Sequence, residues 1–360
     1  MKNKLLTSAL VGSLSLIGLA ATQASAQTTV SGNMAISFGA VSADNSSVTG
    51  NSYRGFGRET QLNIANKGKL NVGDLSYAAG FSLEYDGGDT NNSDQTQENM
   101  YIDFISGNTT VTIGSDHIQN TDINTTNFVG IGYIRPDGIG NVDGTYPASN
   151  SPYGLNGIGI TQNIPSFGAV SFYYAPNSST IAANDILNSF KSTQVEAGNN
   201  AQSELMFKGD LGVKGLNVIL ARQFNDAPDT QTSTTFKSKD GTHYSASYNF
   251  GNLTAGVERK TQEGSDTNGA ANNAEKRTGK SAGLAYAVTK DLSLGLTYAE
   301  ASTDIGTLAA PRPDEITKII AVGYNLGAVA VQAQYKDVEN ASSVAANDGS
   351  IFAVRVSTAF

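Results

Sequence analysis

Few residues in this sequence are of types that do covalent chemistry. There is no cysteine, and there are two histidines, His117 and His243. The first fact removes thiolate metal sites and a thiol nucleophile. The second excludes a His-rich zinc site and leaves two candidate bases for a Ser-His-Asp relay, with no nucleophile motif beside either. Carboxylates are plentiful, 32 Asp+Glu against 23 Lys+Arg. Asp116, Asp122, Asp137 and Asp143 share one long polar stretch, 117–155 with its entrance, opposed there by Arg135 and His117. Asp86-Gly87-Gly88-Asp89 and Glu263-Gly264-Ser265-Asp266 offer oxygen ligands of the kind Ca²⁺ takes, without the spacing of an EF-hand loop. Solvated loop acids are the plainer reading, so no cofactor is expected beyond that Ca²⁺ option. The chemistry on offer is electrostatic: fixed charge acting on a mobile ion.

Fixed charge needs a scaffold. Lys2 and Lys4 precede an apolar stretch from Leu5 to Ala21, and Ala24-Ser25-Ala26 supplies a small-residue cleavage pattern. The expected cut lies between Ala26 and Gln27, giving a leader over 1–26 and an exported chain over 27–360. Losing Lys2 and Lys4 takes the net charge from −9 to −11. An acidic chain does not suit nucleic acid, whose phosphates need a basic surface.

Beyond the leader one pattern recurs. Leu75, Tyr77, Ala79, Phe81, Leu83 and Tyr85 alternate with smaller or polar residues, as do Leu292, Leu294, Leu296 and Tyr298. Period two places successive side chains on opposite faces of a strand. Breaks between the runs are alternately long and short. Long polar stretches are expected near 39–57, 86–97, 117–155, 175–200, 225–240, 260–279, 301–314 and 337–348. Compact turns are expected at Asn66–Lys69, Ser106–Asn108, Pro165–Gly168, Lys208–Asp210, Asn249–Asn252, Thr289–Asp291 and Asn325–Gly327. Eight long loops and seven short turns connect sixteen strands. That asymmetry, with runs of roughly 9–11 residues, predicts an all-β, sixteen-stranded antiparallel transmembrane barrel with short periplasmic turns and long extracellular loops. Eight strands fill their own interior, whereas sixteen leave a water-filled bore.

With a leader, sixteen amphipathic strands, a long third loop and a terminal aromatic, Phe360, the sequence resembles the general Gram-negative bacterial porins. In its richness in Gly, Asn and Ser it is most similar to the alphaproteobacterial, Rhodobacter-type members. The resemblance implies an outer-membrane homotrimer set among lipid and lipopolysaccharide, with the third loop folded into each lumen. It also implies that the strand ending in Phe360 is read by the barrel-assembly machinery. Small hydrophilic solutes are the implied cargo, and there is no chemical step.

Folded inward, the third loop's Asp116, Asp122, Asp137 and Asp143 would put negative charge at the narrowest point of the bore. Parity assigns Glu84, Asp103, Lys208, Lys336 and Arg355 to the lumen, because Leu83, Phe104, Phe207, Tyr335 and Val354 point outward. Arg54 and Arg58 are candidates for a basic wall cluster of the kind related porins set against the loop. Arg58, however, shares parity with the lipid-facing Leu62 and Ile64, which demands a bulge or a position above the bilayer. A mild preference for cations follows from the acidic balance. The alternatives are a solute-specific channel, disfavoured because Tyr101 and Tyr173 are among few inward aromatics, and a barrel lipase or protease.

Overall fold

The computed structural model describes residues 26–43, 53–87, 94–115, 125–131, 134, 156–176, 201–225, 237–266, 273–305, 312–341 and 348–360. Leader residues 1–25, and in the third loop Asp116, His117, Asp122, Arg135, Asp137 and Asp143, lie outside the described residues. Ala26 is described, and the first strand begins at Gln27.

Among the described residues there are sixteen strands. They are β1 (Gln27–Ala43), β2 (Tyr53–Lys69), β3 (Ser76–Gly87), β4 (Asp94–Ser106), β5 (Thr109–Ser115) and β6 (Gly157–Ile164). Next come β7 (Gly168–Ala175), β8 (Gln202–Gly209), β9 (Leu216–Asn225), β10 (Lys237–Asn249) and β11 (Leu253–Asp266). The last are β12 (Asn273–Ala287), β13 (Leu292–Ile305), β14 (Glu315–Asn325), β15 (Val329–Glu339) and β16 (Gly349–Ala359). Each pairs antiparallel with its sequence neighbours, and β16 pairs with β1, so the sheet is a closed barrel.

The alternation in sequence becomes an inverted pattern of burial. On β14, Glu315, Thr317, Ile319 and Ala321 are buried while Lys318, Ile320 and Val322 are exposed. Val257 and Leu296 lie open on the outer wall, whereas Glu204, Lys260 and Lys336 are almost fully enclosed inside it. A soluble protein would reverse this; a barrel whose outer solvent is hydrocarbon requires it.

The turns fall where a residue accepts positive φ. Gly107 (φ 57°) and Gly251 (φ 93°) sit in the expected turns after β4 and β10. The turn expected at Asn66–Lys69 lies later. There the β2–β3 ladder runs on to Lys69↔Ser76, and Tyr77 Oη donates to Asn66 Oδ1 at 2.5 Å. Asn66 is thus held as a strand residue, and the chain reverses over 70–75 around Gly73 (φ 55°). Similarly the turn after β8 covers 210–215, where Leu211, Gly212 and Gly215 take positive φ.

The strands also run further into the polar stretches than their apolar alternation reaches. The loop expected over 260–279 shrinks to 267–272 between β11 and β12. Above the apolar band the ladder is continued by outward ion pairs, Lys276–Glu263 at 2.9 Å and Arg222–Asp240 at 2.5 Å, and by the contact of Lys318 with Glu339. Cross-strand charges of opposite sign support pairing much as apolar pairs do lower down.

Closure is made at the chain's two ends. β1 and β16 pair from Asn33↔Ala359 to Ala43↔Gly349. Below them Gly32 and Phe360 exchange both backbone hydrogen bonds, at 2.9 and 3.0 Å. The Phe360 ring lies over Gly32, where an added Cβ would come within 2.6 Å of both the ring and the Gln61 carbonyl. Gly32→Val should therefore strain the seam by about 1–3 kcal/mol. The expected result is a lower urea midpoint for protein refolded into lipid vesicles, followed by heat-modifiable gel mobility. An unchanged midpoint would show that the ring is not seated there.

Candidate functional site: the lumen wall and the third loop

The described part of the third loop crosses the inside of the barrel against one wall. It begins at Glu258 of β11, whose Oε2 accepts from the Thr125 backbone N–H at 2.8 Å and the Thr125 hydroxyl at 2.9 Å. One strand on, the Thr126 and Ser281 hydroxyls pair at 2.8 Å, and Thr297 of β13 donates to the Thr126 carbonyl at 3.0 Å. On β15 the Gln332 amide donates to the carbonyls of Val129 and Gly130, each at 3.2 Å. Gln334 accepts from the Ile131 N–H at 2.6 Å and donates to the Ile134 carbonyl. Ile134 then packs against Val41, Val338, Ala341 and Ile351 at the barrel seam. The loop thus takes hydrogen bonds from four strands, stepping around the wall.

The wall has a seat for it. Gly256, Gly283, Gly295 and Gly323 are inward positions on β11, β12, β13 and β14, and a Cβ at each would press on the loop. The ring of Phe128 lies 2.8 Å from the Cβ position of Gly256, and the Thr126 carbonyl oxygen 1.9 Å from that of Gly283. Val129 approaches Gly295 to 2.9 Å and Gly323 to 3.2 Å. Glycine is needed here for close approach of one backbone to another. Isolated glycines in strand patterns carry that signal, but only the register shows that four of them form one track.

Inward placement holds for five of the wall charges. Glu84 shares a register row with the inward Gln61. Asp103 accepts from the Thr112 hydroxyl at 2.5 Å. Lys336 follows Gln334 along the inner face of β15. Arg355 makes a 3.0 Å ion pair with Glu59 across the seam, a partner that the sequence reading missed. Lys208 has the same parity as the buried Met206, yet it is exposed at the rim beside the 210–215 turn. Arg54 and Arg58 do not join the wall, which corrects their assignment. The β1–β2 ladder runs without a register shift, Arg58 lies opposite the outward Ile36 and Arg54 opposite Ala40, and both arginines are exposed. With β2 unbulged, parity decides.

Glu204, Glu258, Lys260 and Glu315 are further buried inward charges that the sequence reading passed over. Period two in β8, β11 and β14 was the available signal. Gln223 of β9 donates to Glu204 at 2.9 Å. Taken around the barrel, Glu84, Asp103 and Glu204 stand on β3, β4 and β8, away from the seated loop segment. Lys260, Lys336 and Arg355 stand on β11, β15 and β16, among the strands that carry it or close the seam.

His243 Nε2 lies 3.2 Å from Glu258 Oε2, with both side chains buried. The hydroxyl of Ser245, which faces Glu258 in the ladder, has no hydrogen-bond partner among the described residues. Glu258 is at the same time the acceptor for the Thr125 N–H and hydroxyl, so it ties His243 to the foot of the loop. Among the described residues no group of three or more His, Asp or Glu is arranged to hold a metal. Glu263, half of one Ca²⁺ candidate, is engaged by Lys276; the side chains of Asp86, Asp89 and Asp266 lie outside the described residues.

A family model described as Gram-negative porin matches residues 12–307 and 195–360. Among solved structures, an anion-selective porin from Comamonas acidovorans aligns with TM-score 0.63 at 15% identity, over 93% of this chain and 100% of that one. In-vitro folded OmpT, an outer membrane protein of Vibrio cholerae in trimer form, aligns with TM-score 0.60 at 14% identity, over 92% and 99%. A multiply substituted porin of Rh. blastica gives 0.56 at 14% identity, over 92% and 100%. At such identities the likeness shows the fold alone. Among curated proteins no significant match is found.

The glycine seat gives a direct test. Gly283→Val places atoms where the Thr126 carbonyl now lies and should lift the loop from β12, giving a larger and noisier single-channel conductance in planar bilayers. Gly39→Ala, where no atom lies within 4 Å of the added Cβ, should leave conductance unchanged. Equal traces from both variants would show that the track does not hold the loop.

Proposed function

Because this chain belongs to the Gram-negative porin family, an outer-membrane β-barrel family, we propose that it is a general diffusion channel for small hydrophilic solutes and ions. One observation carries this reading: the stretch 125–131 is hydrogen-bonded to inward side chains of β11, β12, β13 and β15, inside a closed barrel. A sixteen-stranded barrel is wide enough for a water-filled channel, and a loop lying along one wall narrows it without filling it. In this reading the third loop is the constriction, and solutes pass on the side of β2–β8. No chemical step is involved.

We read the channel as mildly cation-selective. The wall facing the seated segment carries Glu84, Asp103 and Glu204, while on the loop's own side Lys260, Lys336 and Arg355 are offset by the inward acids Glu258 and Glu315 and by Glu59, the partner of Arg355. Asp116, Asp122, Asp137 and Asp143 of the same loop would add negative charge. Within a bore bounded by low-dielectric walls, such charges focus the field on passing ions. The Comamonas relative is described as anion-selective, so selectivity is a property of these side chains rather than of the barrel. Assembly as a trimer is supported by the trimer form of the Vibrio cholerae relative. Phe360, at the seam, is the residue we assign to recognition by the assembly machinery.

In a tenfold KCl gradient the reversal potential should carry the sign of cation preference, and Glu84→Gln with Asp103→Asn should move it toward zero. Anion preference in the unsubstituted protein would overturn the selectivity. Liposome swelling should fall smoothly with solute size; saturation by one solute would favour a solute-specific channel.

A further inference from the structure

The side of the bore that the seated loop leaves open has a hollow of its own. It lies on the inner wall of β2–β4 and measures about 410 Å³, a volume within the range of small-molecule sites. Gln61 and Asn63 of β2, Ser82 of β3, and Asn99 and Tyr101 of β4 line it. Among the described residues that line it there is no charged side chain. Glu84 and Asp103 follow at the next inward positions of β3 and β4.

A local break in the ladder shapes this hollow. Gly80 pairs with Tyr101 and Ser82 with Glu98, so Asn99 and Met100 together oppose Phe81 in a bulge. Asn99 takes φ 51° there, a left-handed conformation that asparagine accepts more readily than most residues. Bulges re-aim side chains, and this one brings Asn99 Nδ2 to Ser82 Oγ at 3.3 Å. Beside the bulge, Gly80 makes room for Tyr101. A Cβ on Gly80 would come within 2.9 Å of the ring's Cε1 and 3.1 Å of its Oη, so the ring is laid along the wall next to the amides.

Those amides have bonding capacity to spare. Asn63 Oδ1 accepts from Ser82 Oγ at 2.6 Å, and Gln61 Oε1 accepts from Asn33 Nδ2 of β1 at 3.4 Å. Gln61 Nε2 and Asn63 Nδ2 donate to no described residue, and Asn33 Oδ1 is buried without a partner. A side-chain amide offers two donors and a carbonyl acceptor. Open donors and an open acceptor thus stand beside an aromatic ring. Hydroxyl groups, which donate and accept at once, match such a set, and the apolar C–H face of a sugar ring matches the tyrosine.

We propose that this hollow is a binding subsite for one unit of a neutral saccharide. Its hydroxyls take Gln61 Nε2, Asn63 Nδ2 and the Asn33 carbonyl, and its C–H face packs on Tyr101. The inference rests on the channel reading, which brings solute to this wall, and names one class among the solutes. The subsite occupies a single wall and leaves the bore beside it open, so it is a resting place and not a gate. Below saturating concentration, swelling therefore keeps its dependence on solute size.

The test is ligand-observed saturation-transfer NMR with sucrose as probe, on the mature protein in lipid nanodiscs. The unsubstituted protein should give saturable transfer with half-saturation in the millimolar range. Gly80→Val displaces the Tyr101 ring with every polar group kept, and Asn63→Leu removes one amide at similar volume. Each should weaken binding about three- to tenfold. Thr161→Ala, on the inner face of β6, should not, and glycine betaine should give no saturable transfer. Heat-modifiable mobility verifies that each variant is folded, and the two variants reach the site from different strands. Absence of saturation in the unsubstituted protein, equal binding by all variants, or equal saturation by glycine betaine would overturn the subsite. Binding needs no conduction: a protein that conducts without holding sucrose overturns the subsite alone, and one that holds sucrose without conducting overturns the channel reading instead.

Discussion

Hydrocarbon offers no hydrogen bonds, so a chain that crosses a membrane as strands must satisfy every backbone N–H and C=O from within. Everything else in this structure depends on that requirement. A sheet meets it only by closing on itself, here through the β1–β16 ladder and the reciprocal bonds between Gly32 and Phe360. Closure dictates one apolar and one polar side for each strand, so the ordinary relation between burial and polarity is inverted. Residues such as Lys260 and Glu258 can then be enclosed and paired within the barrel while leucines face outward.

A closed sheet of this size leaves an interior that the strands cannot fill. The third loop partly fills it, and the wall is built to receive it. Side chains of Thr297, Gln332 and Gln334 bond to the loop backbone, and Ser281 pairs with the Thr126 hydroxyl. Glycines at four successive strands remove the side chains that would stand in its way. The loop therefore divides the lumen unevenly. One side carries the loop and a mixed set of buried charges, Lys260 and Lys336 with Glu258 and Glu315, and the other carries Glu84, Asp103 and Glu204.

Most of the barrel was legible in the sequence because its signal is local. Period two needs only a few residues, and parity placed Glu84, Asp103, Lys336 and Arg355 without reference to any distant strand. It also warned against Arg58, and the unbroken β2 ladder settled that conflict for Arg54 as well. Turn positions were less legible, because the Asn66-Lys67-Gly68-Lys69 composition suits a turn but Asn66 is held in the strand by Tyr77 and Thr28. Strand ends were missed where alternation of apolar residues gives way to paired charges, as at Glu263 and Lys276. The loop seat was not legible at all. Gly256, Gly283, Gly295 and Gly323 stand on four different strands, and only the pairing of those strands brings them into one staggered track.

That glycine track separates two properties usually thought of together. The circumference of the barrel is fixed by its strand count, and changing it means gaining or losing a whole hairpin and re-establishing closure. How closely the 125–131 segment lies to the wall depends instead on four absent side chains. Single-codon steps at Gly256, Gly283, Gly295 or Gly323 would thus move the segment while the closed ladder stays as it was, which in the proposed channel is a route to altered permeability. In the proposed channel, aperture and girth are therefore set by different residues.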